Sequence, residues 1–454
     1  MIGRTHRRDF LRQTALAGVA GSMIPAASSA IAFQDTPAKK VRFACIGVGG
    51  KGESDTNDAG KHGEIVALCD IDEKTLDKMA ARFPKAKKYT DYRTMLQEIG
   101  DQIDAVTVST PDHTHAPAGA MAMRMGKHAF IQKPLTWSVE EARILRALAT
   151  EHKLCTQMGN QGTSADGFRR GVELIRSGAL GAVKEINVWT NRPIWPQGIA
   201  RPTEIKGIPN QVHWYEWLGS APERPYSPAY HPFAWRGWLD FGTGALGDMA
   251  CHTINVAAMA LNLFDPETVE VVDTSGIVDH ETYPTWSIIK THFGERQGRP
   301  PLDLVWYDGG KNLPKEKRSE IEQKLHGEPM PGSGLLLIGE KGSFFSTNDY
   351  GAEYTLLPRN RFSEPPKVAA TIPNSPGHFT EWVNAIKANN PSLALSNFDY
   401  AARLTETVLL GVVALKLGGK IEWDPVAMKV KGKPEADKFL KREYREGFSV
   451  HAKA

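Results

Sequence analysis

Cysteine is scarce in this chain: Cys45, Cys69, Cys155 and Cys251 are the only four in 454 residues, with no CxxC pair and no zinc-like spacing. A chain this long needs no disulfide framework to hold a core. Three of the four lie in or beside apolar, strand-like runs and read as buried thiols. Outside the first 35 residues there is no long uninterrupted apolar stretch, so no stable membrane span is expected in the mature chain. An excess of charge is also missing. The chain is formally +3, but Arg4, Arg7, Arg8 and Arg12 against Asp9 already give the first 32 residues a net +3. The remainder is near neutral, and no nucleic-acid partner is implied. No internal repeat is visible.

What is present begins with the pair Arg7-Arg8, followed by Asp9-Phe10-Leu11-Arg12 and an uncharged, Ala/Gly/Ser-rich stretch from Gln13 to Ala32. Ala30-Ile31-Ala32 offers the small residues of a cleavage site. As a membrane anchor this segment is weak, because Gly18, Gly21 and Pro25 interrupt it. Residues 1–32 are therefore expected to be a Tat-type signal peptide, with the mature protein periplasmic or exported.

From Val41 the chain alternates short apolar strands with helical stretches: VRFACI, EIVALC, DAVTVST, HAFIQKP and LCTQMGN are the strands. Such alternation predicts an α/β fold with a doubly wound, Rossmann-type parallel sheet over residues 40–162. Near residue 163 the pattern changes. A Pro- and Trp-rich loop (192–241) is followed by strands in a block, TVEVVDT, TWSIIKTHF, LDLVWY, GLLLIGEKGSFFST and EYTLLP. Residues 163–454 are expected to form an α+β domain for substrate binding and oligomerisation, with a large mixed or antiparallel sheet.

The first strand runs into Gly47, Gly49, Gly50 and Gly52, a G-x-G-x-x-G turn, and Asp70 ends the second strand 18 residues after Gly52. Glycines at that turn let a pyrophosphate approach backbone N–H groups, and the acid accepts from ribose hydroxyls. Because a 2′-phosphate would be repelled there, Asp70 argues for NAD over NADP. At the carboxyl end of a later strand lies TPDHTHAP, where Thr110, Pro111 and His115 are candidate cofactor contacts. His113 and His115, two apart and without a third ligand, make a poor metal site, so no metal is expected. Lys133, after an apolar strand and before Pro134, can point an ammonium into the cleft or simply be solvated. In GDMACHTIN, Asp248 and His252 share one helical face. The pair suits general acid–base work, while Gly247-Asp248 also suits an N-cap.

GVGGKG, ALCDID, TPDHTHA, QKP and GDMACH, in this order, resemble the Gfo/Idh/MocA family of dehydrogenases from about Val41 to Leu417. The resemblance implies catalytic roles for Lys133, Asp248 and His252. Two positions depart from the family pattern. Gln132 stands where Glu is usual, and Asn255 where many members carry Asp.

Six of the eleven tryptophans fall between Trp189 and Trp238, with Trp195, Trp235 and Arg236 among the candidate substrate contacts. Flat aromatic faces beside hydrogen-bonding groups suit a sugar ring; the alternatives are a loop packing its own aromatics, or a subunit interface. Asn160, Gln161 and Arg169 are further candidates for the cleft, as is His252. The expected function is an exported oxidoreductase moving hydride between a carbohydrate or cyclitol hydroxyl and a tightly held NAD. A redox-neutral glycoside hydrolase or lyase on the same scaffold is one alternative, since some exported relatives of the family resemble NAD-dependent glycosidases. A non-catalytic NAD-binding sugar sensor is another. A homo-oligomer is expected by analogy with the fold.

Overall fold

The structure is a computed structural model that describes residues 40–296 and 298–452; the signal peptide expected over 1–32 lies outside the described residues. The apolar runs VRFACI and GEIVALC become β1 (Val41–Ile46) and β2 (Gly63–Cys69), linked by α1 (Lys51–His62). Then come α2 (Glu73–Arg82), β3 (Lys87–Tyr89), α3 (Tyr92–Ile99), β4 (Ala105–Val108), α4 (Asp112–Arg124), β5 (His128–Ile131), α5 (Val139–Glu151) and β6 (Thr156–Met158). All six strands are parallel, in the order β3-β2-β1-β4-β5-β6. The order reverses between β1 and β4, so a crevice opens where their carboxyl ends diverge.

Local chemistry sets the helix starts. Asp72 and Asp91 cap α2 and α3, and Ser138 with Glu141 forms a capping box on α5. Helix α4 carries Pro117 in its interior, which deprives the His113 carbonyl of its usual donor. The Ser220 hydroxyl donates to that carbonyl at 2.6 Å instead, so the 192–241 loop is stitched to this helix.

The second part contains α6 (Asp166–Arg176), β7 (Val183–Trp189), α7 (Trp214–Leu218), α8 (Gly244–Thr253) and α9 (Asn255–Leu261). Strands β8 (Thr268–Thr274), β9 (Ser287–Phe293) and β10 (Leu302–Tyr307) lead through α10 (Lys315–Glu322) to β11 (Gly334–Gly339), β12 (Ser343–Ser346) and β13 (Tyr354–Leu357). The run GLLLIGEKGSFFST is a hairpin, turning at Gly342 with φ +156°, rather than one strand. After α11 (His378–Ala388) and α12 (Phe398–Leu417), β14 (Lys420–Asp424), β15 (Lys429–Val430) and α13 (Asp437–Leu440) end the ordered elements. The nine-stranded sheet runs β13-β12-β11-β7-β10-β9-β8-β14-β15 and is mixed: β7 and β10 are parallel, their other neighbours antiparallel.

Two helices of the second part bind the first. Phe379 and Trp382 of α11 pack into the core of Phe43, Phe130 and Cys155 under the parallel sheet. Helix α12, buried along most of its length, packs on both α5 and α8 and so fixes the Asp248 helix against the nucleotide-binding half. All four cysteines are buried and free. No helix among the described residues is long and apolar enough to cross a membrane.

Candidate active site

A cleft of about 760 Å³ runs from the glycine turn to the Asp248 helix. At one end, the turn is built for close approach. A Cβ at Gly52 would lie 1.9 Å from the Gly47 carbonyl oxygen. Gly50, with φ +54°, has nothing within 4 Å of where a side chain would start, so its backbone faces open space at the N-terminus of α1. No side chain caps that helix; the N–H of Gly52 turns back to the Gly49 carbonyl at 2.9 Å and that of Glu53 to Gly50 at 3.3 Å, while Gly50 and Lys51 at the helix start line the cleft, where the helix dipole favours an anion. Asp70 accepts from the N–H of Val48 at 2.8 Å and of Asp72 at 3.0 Å. Burial pushes this carboxyl up, and those backbone donors oppose the shift. Its remaining lone pairs border the cleft. An uncapped helix start, a side-chain-free turn and an acid at the next strand's end together fit an adenine dinucleotide.

At the other end, strand β5 delivers Lys133. Its Nζ donates to Asp248 Oδ1 at 2.6 Å and to the Asp248 carbonyl at 2.7 Å. Arg236 Nε donates to the same Oδ1 at 3.4 Å. The Arg236 guanidinium lies over Trp235, 4.2 Å from the ring centroid. Burial raises the Asp248 carboxyl, but Lys133 and Arg236 outweigh it and hold it below the usual carboxylate range. Asp248 is thus an anion shared by two cations. It is not an N-cap: α8 begins at Gly244, and Asp248 lies inside the helix.

His252 is one turn further on, 6% exposed, and does not line the cleft wall. Its ring meets Tyr350 edge-on at 5.2 Å, and its Nδ1 has no hydrogen-bond partner. Burial and the nearby Lys133 push it down to about 3, so the imidazole is neutral near pH 7. Asp248 acts in the opposite direction and favours the imidazolium.

Other expected residues are placed differently. Thr110 and Pro111 line the cleft, but His115 does not. Its ring nitrogens lie 2.8 Å from two backbone carbonyls, Pro134 and Thr110, and the neutral ring donates to one of them, so His115 packs between the Lys133 loop and the Thr110 loop instead of meeting a cofactor. Arg169 is 2% exposed and ion-paired with Glu381 at 2.7 Å, which removes it from substrate binding. Asn160 is fully buried and accepts from Ser396, and Gln161 donates to Tyr350 at 3.3 Å; neither lines the cleft. Trp195 backs Arg236 at 5.8 Å without reaching the cleft. Most of the loop's aromatics pack on one another, as in the Trp214–Trp217 stack at 4.5 Å, while Trp217, Tyr226, Phe233 and Trp235 do line the cleft.

The two departures from the family pattern have local reasons. Gln132 Nε2 donates to the buried Asp55 carboxylate at 2.8 Å, a place where a second carboxylate would be repelled. Asn255 Nδ2 donates to Thr163 Oγ1 at 2.9 Å while its Oδ1 accepts from Tyr400 at 2.6 Å. Thr163's hydroxyl already donates to Asn160, so position 255 must supply a donor there, which an ionised Asp lacks.

Sequence reasoning passed over Asp112. It lines the cleft, is 3% exposed, and accepts from Thr243 Oγ1 at 2.7 Å. Burial pushes its carboxyl up to about 7 against that hydrogen bond. Its signal lay inside TPDHTHA, whose histidines drew the attention. Tyr350 was also passed over, since nothing in the sequence ties it to His252. Among the described residues, no group of three or more His, Cys, Asp or Glu is arranged to hold a metal.

Residues 41–160 match the sequence model of the GFO_IDH_MocA oxidoreductase family, NAD-binding Rossmann fold, and residues 174–297 match that family's C-terminal alpha/beta domain. Together the two matches span more than half of the chain. The chain belongs to the Gfo/Idh/MocA family. Among curated relatives, a "Glycosyl hydrolase family 109 protein" of Shewanella pealeana is 32% identical over 209 residues, 39% of this chain and 44% of that one. An "Alpha-N-acetylgalactosaminidase" of Shewanella oneidensis is 34% identical over 182 residues, 34% of this chain and 39% of that one. The chain thus aligns with less than half the length of these relatives. Among solved structures, the WlbA dehydrogenase of Bordetella pertussis, in complex with NADH and UDP-GlcNAcA, shares the fold at TM-score 0.57 and 14% identity, over 85% of this chain and 99% of that one. An inositol dehydrogenase homolog of Azotobacter vinelandii, complexed with NADH and myo-inositol, does so at TM-score 0.56 and 16% identity, over 85% and 98%.

Proposed function

We propose that this protein oxidises a carbohydrate or cyclitol hydroxyl with NAD as hydride acceptor. The observation that carries the reading is the Lys133–Asp248 pair, 2.6 Å apart, in the same cleft as the glycine turn and Asp70. The glycine turn and Asp70 would hold the dinucleotide, whose nicotinamide would supply the acceptor for a hydride from the carbinol carbon. Lys133 meets the substrate oxygen and stabilises the negative charge that develops on it. Asp248 fixes the ammonium in place. His252, neutral beforehand as an acceptor must be, lies one turn behind Asp248 and off the cleft wall, so the hydroxyl proton reaches it through a bridging water, and the Asp248 carboxylate stabilises the resulting imidazolium. Trp235 and Phe233 offer apolar faces for the sugar ring. Asp70 favours NAD over NADP. The Arg7-Arg8 pair and the uncharged stretch to Ala32, read as a Tat-type leader, support export of the folded protein, so the same reading puts the chemistry outside the cytoplasm.

One observation favours a second reading, redox-neutral cleavage of a glycoside. Asp112 lines the same cleft, and burial holds its carboxyl up at about 7, so a protonated acid is on hand near neutrality for a leaving group. The glycosidase names of the curated relatives agree with it. Incubation with aryl glycosides separates the two. Aryl release with no net change in nicotinamide supports cleavage; a keto-sugar accumulating with reduced nicotinamide supports plain oxidation.

A further inference from the structure

Arg236 lines the cleft beside Lys133 and has no part in the reaction proposed above. Its short turn, residues 234–237, is pressed on Gly242, where a Cβ would lie 2.5 Å from the Arg236 carbonyl oxygen, so the backbone has no room to shift. The guanidinium is held by rings, 4.2 Å from the Trp235 centroid, 5.1 Å from Phe233 and 5.8 Å from Trp195. Aromatic faces fix the plane of an arginine without using its N–H donors.

Those donors are poorly used. A guanidinium has five, and Arg236 spends two on long bonds, Nε to Asp248 Oδ1 at 3.4 Å and Nη1 to the Phe233 carbonyl at 3.3 Å. Its Nη2 has no partner among the described residues. Nor is its charge balanced. Asp248 is taken up at 2.6 Å by Lys133. Asp112, the other carboxyl on this stretch of the wall, is pushed up to about 7 by burial. The remaining acids of the wall, Asp70, Asp72, Asp91 and Glu216, stand just past β2 and β3 and in α7, on the adenosine side. Arg192, a further cation, is near enough to His252 to depress its imidazole and pairs with no carboxylate among the described residues.

A fixed, half-satisfied guanidinium edge suits a planar group with two oxygens and a negative charge. Distance says where on the substrate that group sits. Lys133 Nζ and Arg236 Nε share one carboxylate oxygen, at 2.6 and 3.4 Å, so they lie within about 6 Å of each other. A hydroxyl on the ammonium and a carboxylate on the guanidinium then belong to one sugar ring, not to neighbouring units.

We propose that the substrate is a sugar acid, a pyranose whose carboxylate is gripped by Arg236 while a hydroxyl of the same ring meets Lys133. This rests on the reading of the cleft as a sugar-oxidising site and narrows it from carbohydrates and cyclitols in general to hexuronates.

The full mature chain, loaded with NAD, is titrated by tryptophan fluorescence with methyl glycosides in matched sets built on glucose, galactose and mannose. Each set holds the neutral sugar, its 6-carboxylate and the uncharged, isosteric 6-carboxamide. In at least one set the carboxylate should bind about tenfold tighter than both other members, and Arg236→Gln should bring all three within about twofold. General damage in the variant weakens all three alike, so the ratio reports the guanidinium. Should Arg236→Gln not fold, carboxylate against carboxamide on wild type decides. Neutral members binding as tightly as the carboxylates in every set, or a preference that survives in folded Arg236→Gln, overturns the proposal and leaves the oxidoreductase reading intact. A 6-sulfate binding tighter than every carboxylate also overturns it, in favour of a sulfated sugar. No binding by any member sinks both readings. A carboxylate that binds selectively yet yields no absorbance at 340 nm upholds the site and sinks the oxidation.

Discussion

Lys133 makes two hydrogen bonds to one residue, reaching both the carboxylate and the backbone carbonyl of Asp248 at 2.6 and 2.7 Å. The ammonium comes from the end of a strand in the nucleotide-binding half, and its anchor from a helix in the other half. The charge proposed to meet the substrate is therefore fixed only when both halves are in place. Replacing Lys133 by Met keeps the length of the side chain and removes the charge. Steady-state kinetics should show kcat lowered about 10³-fold, with NAD affinity by titration changed little. His252→Ala should also abolish turnover without loss of NAD binding; near-wild-type rates would remove His252 from the reaction.

Restoring the more usual family residue at position 132 should damage the protein. Gln132→Glu sets a carboxylate against Asp55, itself 2% exposed, in place of an amide donor at 2.8 Å. Denaturant unfolding should show a loss of about 3 kcal/mol at pH 7. The deficit should shrink as pH falls toward 5, where one of the two carboxyls takes a proton. A variant as stable as wild type at pH 7 would contradict this account of the substitution.

Arg169→Met should cost stability and spare chemistry. It leaves Glu381 buried without its 2.7 Å partner, a change expected to destabilise by about 3 kcal/mol. The kcat/KM of the folded fraction should stay within about twofold of wild type, since a group that does not reach the transition state does not change it. A selective rise in KM would return Arg169 to the substrate site.

Stability should fall on the acid side of pH 6.5. Burial lowers His113 to about 3, His115 to about 4 and His252 to about 3, so the unfolded chain binds these protons first. Their contribution is complete above the unfolded value of about 6.5 and is lost as pH drops toward the folded values. Asp112, raised to about 7, works the other way, its contribution being lost as pH climbs from about 4 to 7. His378, also lowered to about 4 by burial, joins the three histidines, and Asp308, raised to about 6 by burial, joins Asp112; four groups outweigh two, so Tm should drop from pH 6.5 to pH 4.

That the glycine turn, Asp70, Lys133 and Asp248 share one cleft was legible because each is a short-range pattern whose place depends on one strand end or one helical turn; that His252 sits behind Asp248, off the cleft wall, was not. The alternation of strands gave the parallel sheet, and the strand block gave the mixed one. What was not legible depends on contacts between distant residues. Arg169 and His115 carry polar groups suited to ligands, and only the fold reveals Glu381 or two carbonyls taking them first. Trp195 and Trp214 look like sugar platforms until their packing against Arg236 and Trp217 is seen.

Single-turnover absorbance at 340 nm tests the central claim most directly. The protein is loaded with NAD and mixed with a panel of pyranosides and cyclitols. Wild type should form up to one reduced nicotinamide per site with at least one member of the panel, transiently if the hydride is returned, and Lys133→Met should form none. A signal of equal size and rate in Lys133→Met, or none from wild type with any member of the panel, would contradict the claim that this lysine assists hydride removal from a sugar carbon.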